Sequence, residues 1–523
     1  MLIRCFVVNF AACLASVLCQ PSVKTALGTI QGIEQNEMFL GKSYNGNAYL
    51  GIPYAKPPIG RLRFQKPEPY GPFDGTLEAK SFGSSCPQSR MEHISFGVYS
   101  DNEDCLFLDI YVPRSQPDSH SGYAVMIWIH GGGFMLGSGS MTKGNVLAAY
   151  GNVIVVTLNY RLGMFGFLDI DDERAPGNVG LFDQQLAIKW VKDHIGSFGG
   201  DSSRMTIFGE SAGGMSVHMH ALFPENRGLF QNVISQSGTA TLPFLVGENN
   251  IDVATSLAKR LQCSSESMDD IIECLQMVGT ARFMEVCGEN PLDMNEPGLV
   301  NFNPTIDGQF IKRDPRIVLQ DIDSEEIKFM QELNIINGVN GLEGASFTLM
   351  FEDSENVEIT NENMTSTYIS SMLPAVFPGQ KIPDAVKALI DLEYTNWQNP
   401  NDARMKYVIY NSDMFFNVPA WELHVAQANN IRANSWLYNF VPRPELQLAP
   451  LPSWIEQANH GDEIQFVFGY DFDYTQIGRN MTDFVAPQWE QEVSGRVMRF
   501  WSNLAKFGYA INVFLSTLVK MLT

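Results

Sequence analysis

The feature of this chain best suited to chemistry is a serine in a turn bounded by glycines. Residues 209–213 read GESAG, a G-x-S-x-G motif with Ser211 at its centre. A buried strand is predicted before it at 205–208 and a helix after it at 212–222. In so sharp a turn the serine side chain projects away from the backbone, and only glycines fit beside it without a clash. An ordinary serine in a tight turn is the alternative, but the strand and the helix favour a nucleophile.

A glycine-rich segment supplies a second chemical feature. Residues 130–134 read HGGGF and follow a strand predicted over residues 125–129. Glycines let backbone N–H groups turn toward a reacting carbonyl, whose oxygen becomes negative during acyl transfer. We therefore expect an oxyanion hole made by the N–H groups of Gly132, Gly133 and Ala212. A phosphate-binding loop is excluded because the chain has no G-x-x-x-x-G-K-[ST] motif.

The elements that must position these groups alternate along the chain. Between residues 120 and 240, short apolar runs alternate with helical segments, which is the pattern of parallel βαβ units. A helix is predicted over residues 181–195. Strands are predicted at residues 125–129, 153–158, 205–208, 232–235, 333–337 and 436–440. We predict an α/β fold with a large, mostly parallel central sheet and helices on both faces, in one domain over residues 20–523.

Composition and charge exclude several classes of protein. The chain has 523 residues, of which 45% are hydrophobic and 18% charged, so a disordered or fibrous chain is excluded. There are 35 basic and 58 acidic side chains, which leave a formal charge of −23. Binding to nucleic acid requires an excess of Lys and Arg to neutralise phosphates, so no nucleic-acid partner is expected.

The amino terminus has the order of charged, apolar and polar residues that is typical of a secretory signal. Arg4 precedes an apolar run over residues 5–19, and Gln20 follows it. We predict that residues 1–19 are a signal peptide and that the mature protein is secreted. A membrane anchor is the alternative, but spanning a bilayer takes about 20 apolar residues. The N-x-S/T triplets at Asn363 and Asn480 predict glycosylation in that compartment.

Five cysteines remain after the signal, and an oxidising compartment would pair four of them. The economical pairing closes two short loops, joining Cys86 to Cys105 and Cys263 to Cys274. Cys287 is then a free thiol, which we expect to be buried and inert.

Five further motifs resemble the carboxylesterase/cholinesterase family of α/β-hydrolases. They are residues 51–55 (GIPYA), 103–108 (EDCLFL), 159–163 (NYRLG), 177–184 (GNVGLFDQ) and 235–238 (SQSG). The resemblance extends from Gly28 to about Gly508, and so many ordered matches are highly specific. It implies the α/β-hydrolase fold, hydrolysis of small-molecule esters by a serine esterase, and no metal or organic cofactor.

The resemblance also implies a catalytic triad in which Glu343 is the acid and His460 the base. Glu343 lies in residues 337–344 (NGVNGLEG), and His460 opens residues 460–464 (HGDEI). With a reference pKa of about 6.5, His460 would take the proton of Ser211, so hydrolysis should rise with pH through about 6–7. Glu343 would orient the imidazole and stabilise its cation.

Several other residues are assigned supporting roles. By resemblance, Glu210 and Ser237 are polar groups that lie next to the triad and support it, with ordinary fold support as the alternative. Scaffold ion pairs are expected between Arg63 and Glu103 and between Arg161 and Asp183. His130 is expected to position the glycine loop. His218 and His220 are two residues apart on a helix and face different sides, which argues against a shared metal site.

Two departures from the family narrow the expected function. Cholinesterases have a tryptophan in the loop closed by the first disulfide, and this chain has none between Cys86 and Cys105. Phe96 or Tyr99 would give a weaker cation–π contact. We therefore expect a broad carboxylesterase and not a choline-specific enzyme. Residues 508–523 are atypical of the family, which suggests a truncated or spliced form.

Two rival functions stay open. Adhesion proteins of this family keep the fold without catalysis and typically lose a triad member, whereas Ser211, Glu343 and His460 are all present. A lipase of the same fold would differ in the size and apolarity of its acyl pocket. No integral membrane span is expected, since residues 509–522 are too few to cross a bilayer, and the oligomeric state is left open.

Overall fold

Nine strands of the computed structural model form one central sheet. The structure describes residues 20–88, 99–242, 245–264, 267–288, 302–346, 359–364, 369–370, 373, 381–428, 433–448, 451–472 and 484–509. The strands are β1 (Ser22–Thr25), β2 (Gly28–Gln31), β3 (Ile33–Phe39), β4 (Lys42–Pro53), β5 (Thr76–Glu78), β6 (Phe107–Pro113), β7 (Tyr123–Ile129), β8 (Ile154–Leu158), β9 (Asp169–Asp172), β10 (Ala175–Pro176), β11 (Gly200–Glu210), β12 (Asn232–Gln236), β13 (Asn334–Asn340) and β14 (Ser435–Phe440). The central order is β14-β13-β12-β11-β7-β8-β6-β4-β3.

The central sheet is parallel through its middle and antiparallel at one side. The five pairings from β14 to β8 are parallel, and the three that join β8, β6, β4 and β3 are antiparallel. Every residue of β7, β8 and β12 is buried, as expected for strands covered on both faces. The predicted strands and the predicted α/β class are confirmed.

Helices cover both faces of the sheet. They are α1 (Asn145–Gly151), α2 (Gly163–Phe167), α3 (Val179–His194), α4 (Ala212–Ala221), α5 (Ile251–Arg260), α6 (Met268–Met277), α7 (Thr280–Gly288), α8 (Pro315–Val318), α9 (Glu325–Met330), α10 (Asn361–Asn363), α11 (Asp384–Tyr394), α12 (Arg404–Ser412), α13 (Val418–Ala428), α14 (Ile464–Val467) and α15 (Gln488–Phe507). Alternate residues of β7 enter opposite cores: Ile127 belongs to the same buried cluster as Ile188 of α3, whereas Trp128 belongs to the cluster that contains Met498 of α15. None of the described helices is both long enough and apolar enough to cross a bilayer.

Strand register brings the candidate site residues to one edge of the sheet. Ile129 at the end of β7 pairs with Gly209, and Glu210 at the end of β11 pairs with Gln236. Gln236 in turn pairs with Gly338 of β13. The chain segments that follow these four parallel strands therefore leave from the same edge, which in open α/β sheets is where ligands bind.

Covalent and ionic ties hold the loops around the sheet. The disulfides Cys86–Cys105 and Cys263–Cys274 are present, as the sequence predicts. Arg161 donates two side-chain hydrogen bonds of 2.7 Å to Asp183 on α3. The Arg63–Glu103 pair also forms, with the Arg63 Nε donating at 2.8 Å. The predicted signal peptide, Phe96, Asn480 and residues 510–523 lie outside the described residues.

We predict that Arg161→Ala lowers the free energy of unfolding by about 3–5 kcal/mol, because it leaves a buried carboxylate without its cation. The Asp183 side chain is 0% exposed. Chemical denaturation measures the change. The control Arg114→Ala removes the exposed ion pair with Glu34 and should cost less than about 1 kcal/mol. Equal losses in the two variants would contradict the prediction.

Candidate active site

Ser211 lies in a strained turn between β11 and α4, which we call the serine turn (residues 209–213). Its backbone has φ 56° and ψ −123°, a region that a non-glycine residue adopts only where surrounding structure enforces it, at a cost of about 1–3 kcal/mol. The turn packs directly against the end of β7: a Cβ added to Gly213 would lie 2.0 Å from the Ile129 oxygen. The Ser211 N–H donates to the Gln236 oxygen at 2.9 Å. The motif thus forms the predicted turn, with Ser211 directly before the helix.

The glycine loop, which comprises residues 130–134 and follows β7, lies beside this turn. A Cβ on Gly131 would be 3.0 Å from Cβ of Ser211, so only a glycine allows this approach. Gly132 and Gly133 have φ of 101° and 63°. Among the described residues, the N–H groups of Gly132, Gly133 and Ala212 donate to no protein acceptor. Three backbone donors on two adjacent segments are therefore available beside Ser211.

His130 begins the glycine loop and stays neutral. Burial lowers its pKa to about 4. Its ring stacks on that of Tyr160 with centroids 4.4 Å apart, and its Nδ1 lies 2.9 Å from the Gly131 oxygen. These contacts agree with the expected positioning role.

Buried Glu343 and partly exposed His460 form a hydrogen-bonded pair. Glu343 lies three residues after the last residue of β13 and is 0% exposed. His460 Nδ1 is 2.7 Å from Glu343 Oε2, while the N–H of Asn340 donates to Glu343 Oε1 at 2.6 Å. Both oxygens of the acid therefore have partners. A carboxylate at Nδ1 leaves Nε2 as the nitrogen available to exchange a proton.

The Nε2 side of His460 faces the serine turn. Nε2 lies 3.2 Å from Oε1 of Glu210, the residue that directly precedes Ser211. The ring of Phe416 packs against the imidazole with centroids 4.7 Å apart. His460 is thus held between two carboxylates, with its Nε2 toward the segment that carries Ser211.

The surrounding carboxylates change the protonation of the site. Burial disfavours the imidazolium of His460, but Glu210 and Glu343 outweigh burial and raise its pKa to about 9. Burial likewise raises the pKa of Glu210 to about 8, although His460 opposes this. The reference pKa used for the sequence prediction therefore does not apply. A reaction that needs neutral His460 is expected to rise at higher pH than the predicted 6–7.

Ser237, the other polar residue predicted to lie next to the triad, follows β12. Its N–H donates to the Gly338 oxygen at 2.8 Å, which ties β12 to β13 near the acid. Its buried hydroxyl has no hydrogen-bond partner among the described residues. The adjacent Gly238 contacts the serine turn closely: an added Cβ would lie 2.2 Å from the Ser211 oxygen. Ser237 therefore lies beside the serine turn, but its hydroxyl makes no hydrogen bond to Glu343 or His460.

Other predicted residues take no part in the site geometry. His218 and His220 are fully buried in α4, and burial lowers the pKa of each to about 3. Among the described residues, no group of three or more His, Cys, Asp or Glu side chains could hold a metal ion. Tyr99, proposed as a substitute for the missing tryptophan, is 58% exposed.

Sequence reasoning missed several residues that surround the pair. Asn340 and Asn459 are buried hydrogen-bonding residues beside Glu343 and His460, and Phe416 covers the imidazole. Glu463 lies in the histidine motif itself, three positions after His460, so this acidic residue could have been predicted from the sequence. The two asparagines and the phenylalanine carry no local pattern that distinguishes them from ordinary core residues.

We predict that Glu210→Gln lowers the pKa of His460 by about one to three pH units, because it removes an adjacent negative charge while keeping the shape. NMR titration of the His460 Cε1–H resonance measures this value. The control Glu225→Gln changes an exposed residue paired with Lys312 and should leave the pKa unchanged. An unaltered pKa in Glu210→Gln would show that Glu210 does not control the charge of His460.

Comparison with known proteins identifies the family of this chain. A sequence model of the carboxylesterase family matches residues 19–516. The chain is 34% identical to human (Homo sapiens) bile salt-activated lipase over 507 residues, which cover 93% of the chain and 62% of that protein. It is 32% identical to mouse (Mus musculus) neuroligin-2 over 530 residues, 93% of the chain and 60% of that protein.

A third relative is the rat (Rattus norvegicus) pyrethroid hydrolase Ces2e, 32% identical over 471 residues, which cover 88% of the chain and 78% of that protein. The chain spans about three fifths of the length of the first two relatives. The family match covers nearly the whole chain, and the central sheet has the arrangement expected for the family. The protein therefore belongs to the carboxylesterase family and has the α/β-hydrolase fold.

Proposed function

We propose that this protein is a serine carboxylic ester hydrolase that forms an acyl-enzyme on Ser211. The observation that carries the proposal is the orientation of His460. Its Nδ1 bonds to Glu343 at 2.7 Å, and its Nε2 faces Glu210, the neighbour of Ser211. A serine hydroxyl is a poor nucleophile until a positioned base takes its proton, and this arrangement supplies the base and its orienting acid.

In the proposed reaction, neutral His460 takes the Ser211 proton as the hydroxyl attacks the ester carbonyl. The N–H groups of Gly132, Gly133 and Ala212 stabilise the oxyanion that forms. His460 then returns the proton to the leaving alcohol. In the second half of the reaction His460 takes a proton from water as its oxygen attacks the acyl carbon, and returns it to Ser211 as the acyl–oxygen bond to the serine breaks and the carboxylic acid leaves. Glu343 stabilises the imidazolium without being protonated. The proposed chemistry requires no metal and no organic cofactor.

For the substrate we propose a broad range of small esters, without preference for choline. The loop between Cys86 and Cys105 lacks a tryptophan, and a quaternary ammonium binds best over a tryptophan ring. A related protein is named a pyrethroid hydrolase and another a bile salt-activated lipase, so a lipase is the nearest alternative. Rates over esters of increasing acyl length distinguish these two.

A binding protein without catalysis is the second candidate, supported by the similarity to neuroligin-2. Retention of Ser211, Glu343 and His460 favours the enzyme, because function depends on the site and the fold is shared. A folded protein that hydrolyses no ester and does not react with an organophosphate would support the binding protein.

We also propose that the mature protein is secreted and glycosylated, as one domain over residues 20–523. The two disulfides support an oxidising compartment. The amino-terminal signal and the triplets at Asn363 and Asn480 support the same location. Mass spectrometry of the mature protein tests both the cleavage before Gln20 and the glycans.

We predict that Ser211→Ala lowers kcat by about 10⁴–10⁶-fold, since the nucleophile of a serine hydrolase contributes that much. Hydrolysis of a short chromogenic ester measures the rate, and thermal unfolding should change little. The wild type should take up one organophosphate per chain and the variant none. Ser203→Ala, at an exposed position on the same strand, is the control. Full activity in Ser211→Ala would refute the assigned nucleophile.

We predict that Gly132→Ala lowers kcat by about 10²–10³-fold through loss of an oxyanion donor. With φ at 101°, an added Cβ would lie 2.3 Å from the Leu136 oxygen, so the loop must move. Steady-state kinetics measures kcat, and organophosphate labelling confirms that Ser211 is still accessible. Gly196→Ala is the control, since its Cβ would enter open space. Similar kcat values in the two variants would contradict a role for this loop.

A further inference from the structure

Side chains tie the loop that carries the acid to the loop that carries the histidine. The first loop covers residues 340–346 and the second residues 459–463. The hydrogen bond between Glu343 and His460 is only one of the links between them. Leu342 N–H also donates at 2.9 Å to the oxygen of Ala458, which directly precedes the second loop, and asparagine side chains make further links.

Asn340 contacts the histidine loop at two points. It is 0% exposed, and its Nδ2 donates to the Asn459 backbone oxygen at 2.7 Å and to Glu463 Oε2 at 2.5 Å. Its own N–H donates to Glu343 Oε1 at 2.6 Å. One residue therefore holds the acid through its backbone and the histidine loop through its side chain.

Asn459, directly before His460, makes the reciprocal contacts. It is also 0% exposed. Its Oδ1 accepts from the Ser346 N–H at 2.8 Å, and its Nδ2 donates to the Ser346 hydroxyl. Its N–H donates to Asp462 Oδ2 at 2.8 Å, which closes the turn around His460. The side chain thus fixes the far end of the acid loop.

We propose that Asn340 and Asn459 form an asparagine clasp that positions His460 against Glu343 and the serine turn. The inference rests on the proposed function, because it assigns the two residues a role in preparing the base. A bond to Glu343 alone allows the imidazole to shift as the two loops separate. Links at both ends of the acid loop remove that freedom, and a displacement of about 1 Å at a reacting group costs about 10²-fold in rate.

The chemistry of the pocket accounts for amides at both positions. Four buried carboxyl groups already surround the imidazole or its turn: Glu210, Glu343, Glu463 and Asp462. An aspartate in the clasp would add a further negative charge, which costs heavily in a buried site. An asparagine supplies both a donor and an acceptor without charge. It can therefore join the loops and leave the charge of the pocket unchanged.

The clasp also affects the charge of Glu463. Burial raises the pKa of Glu463, while the hydrogen bonds from Asn340 and Gln236 lower it and so favour its ionised form. Ionised Glu463 in turn favours the protonated form of His460. Losing the Asn340 amide should let Glu463 take up a proton, and the pKa of His460 should then fall. A residue with a merely structural role would not produce that change.

The test compares Asn340→Ala and Asn459→Ala with a matched control. Asn337→Ala removes another buried asparagine of β13, whose amide donates to Gln427 at 2.9 Å and not to the histidine loop. We expect kcat for a short ester to fall about 10–100-fold in both clasp variants, with KM within about threefold. In Asn340→Ala the NMR-measured pKa of His460 should also fall. The control should leave kcat and this pKa as in the wild type.

The NMR readout separates failure of the clasp from failure of the proposed enzyme. An unchanged His460 pKa together with wild-type kcat in Asn340→Ala overturns the clasp. If the wild type hydrolyses no ester, the proposed function fails, while a fall of the His460 pKa in Asn340→Ala still supports the clasp. Thermal unfolding of each variant confirms that it is folded. If Asn340→Ala does not fold, Asn340→Ser shortens the side chain below bonding reach and receives the same measurements.

Discussion

The hydrogen bond between Glu343 and His460 is the constraint around which the rest of the site is arranged. A carboxylate with no solvent exposure must have partners for its oxygens, since burying an unpaired charge costs several kcal/mol or more. His460 Nδ1 satisfies one oxygen and the Asn340 N–H the other. Because these partners belong to segments more than 100 residues apart, the end of β13 and the histidine loop must meet before the acid can be buried.

The opposite side of the site depends on close backbone approach. The serine turn is strained, and the parallel strands β7, β11 and β12 hold it from both sides. Glycines at 209 and 213 let the turn touch the end of β7, where a Cβ at either position would lie 2.5 Å or less from the Ile129 oxygen. The strain is therefore supported by the sheet, and the serine is held at its edge beside the glycine loop.

Electrostatic interactions couple the Glu343–His460 pair to the serine turn. Burial raises the pKa of Glu210, Asp462 and Glu463, so these carboxyl groups compete with His460 for protons. The carboxylates of Glu210, Glu343 and Glu463 stabilise an imidazolium at position 460, the species that a serine hydrolase forms in its transition state. A pocket with this charge favours the cation both at rest and during reaction. The proposed ester hydrolysis then requires a pH at which His460 is neutral at rest.

The sequence by itself determined the parallel strands, the strained serine turn and the glycine loop, because alternating hydrophobicity and glycine spacing are local properties. Motif resemblance also predicted Glu343 as the acid and His460 as the base, two residues that the structure joins by a hydrogen bond. Only the tertiary structure decided that Asn340, Asn459 and Phe416 surround His460, and that Glu210 faces its Nε2. These contacts join residues far apart in the chain, and the resulting pKa values depend on burial. Neither separation in space nor desolvation can be read from local patterns, since both arise only when the loops pack together.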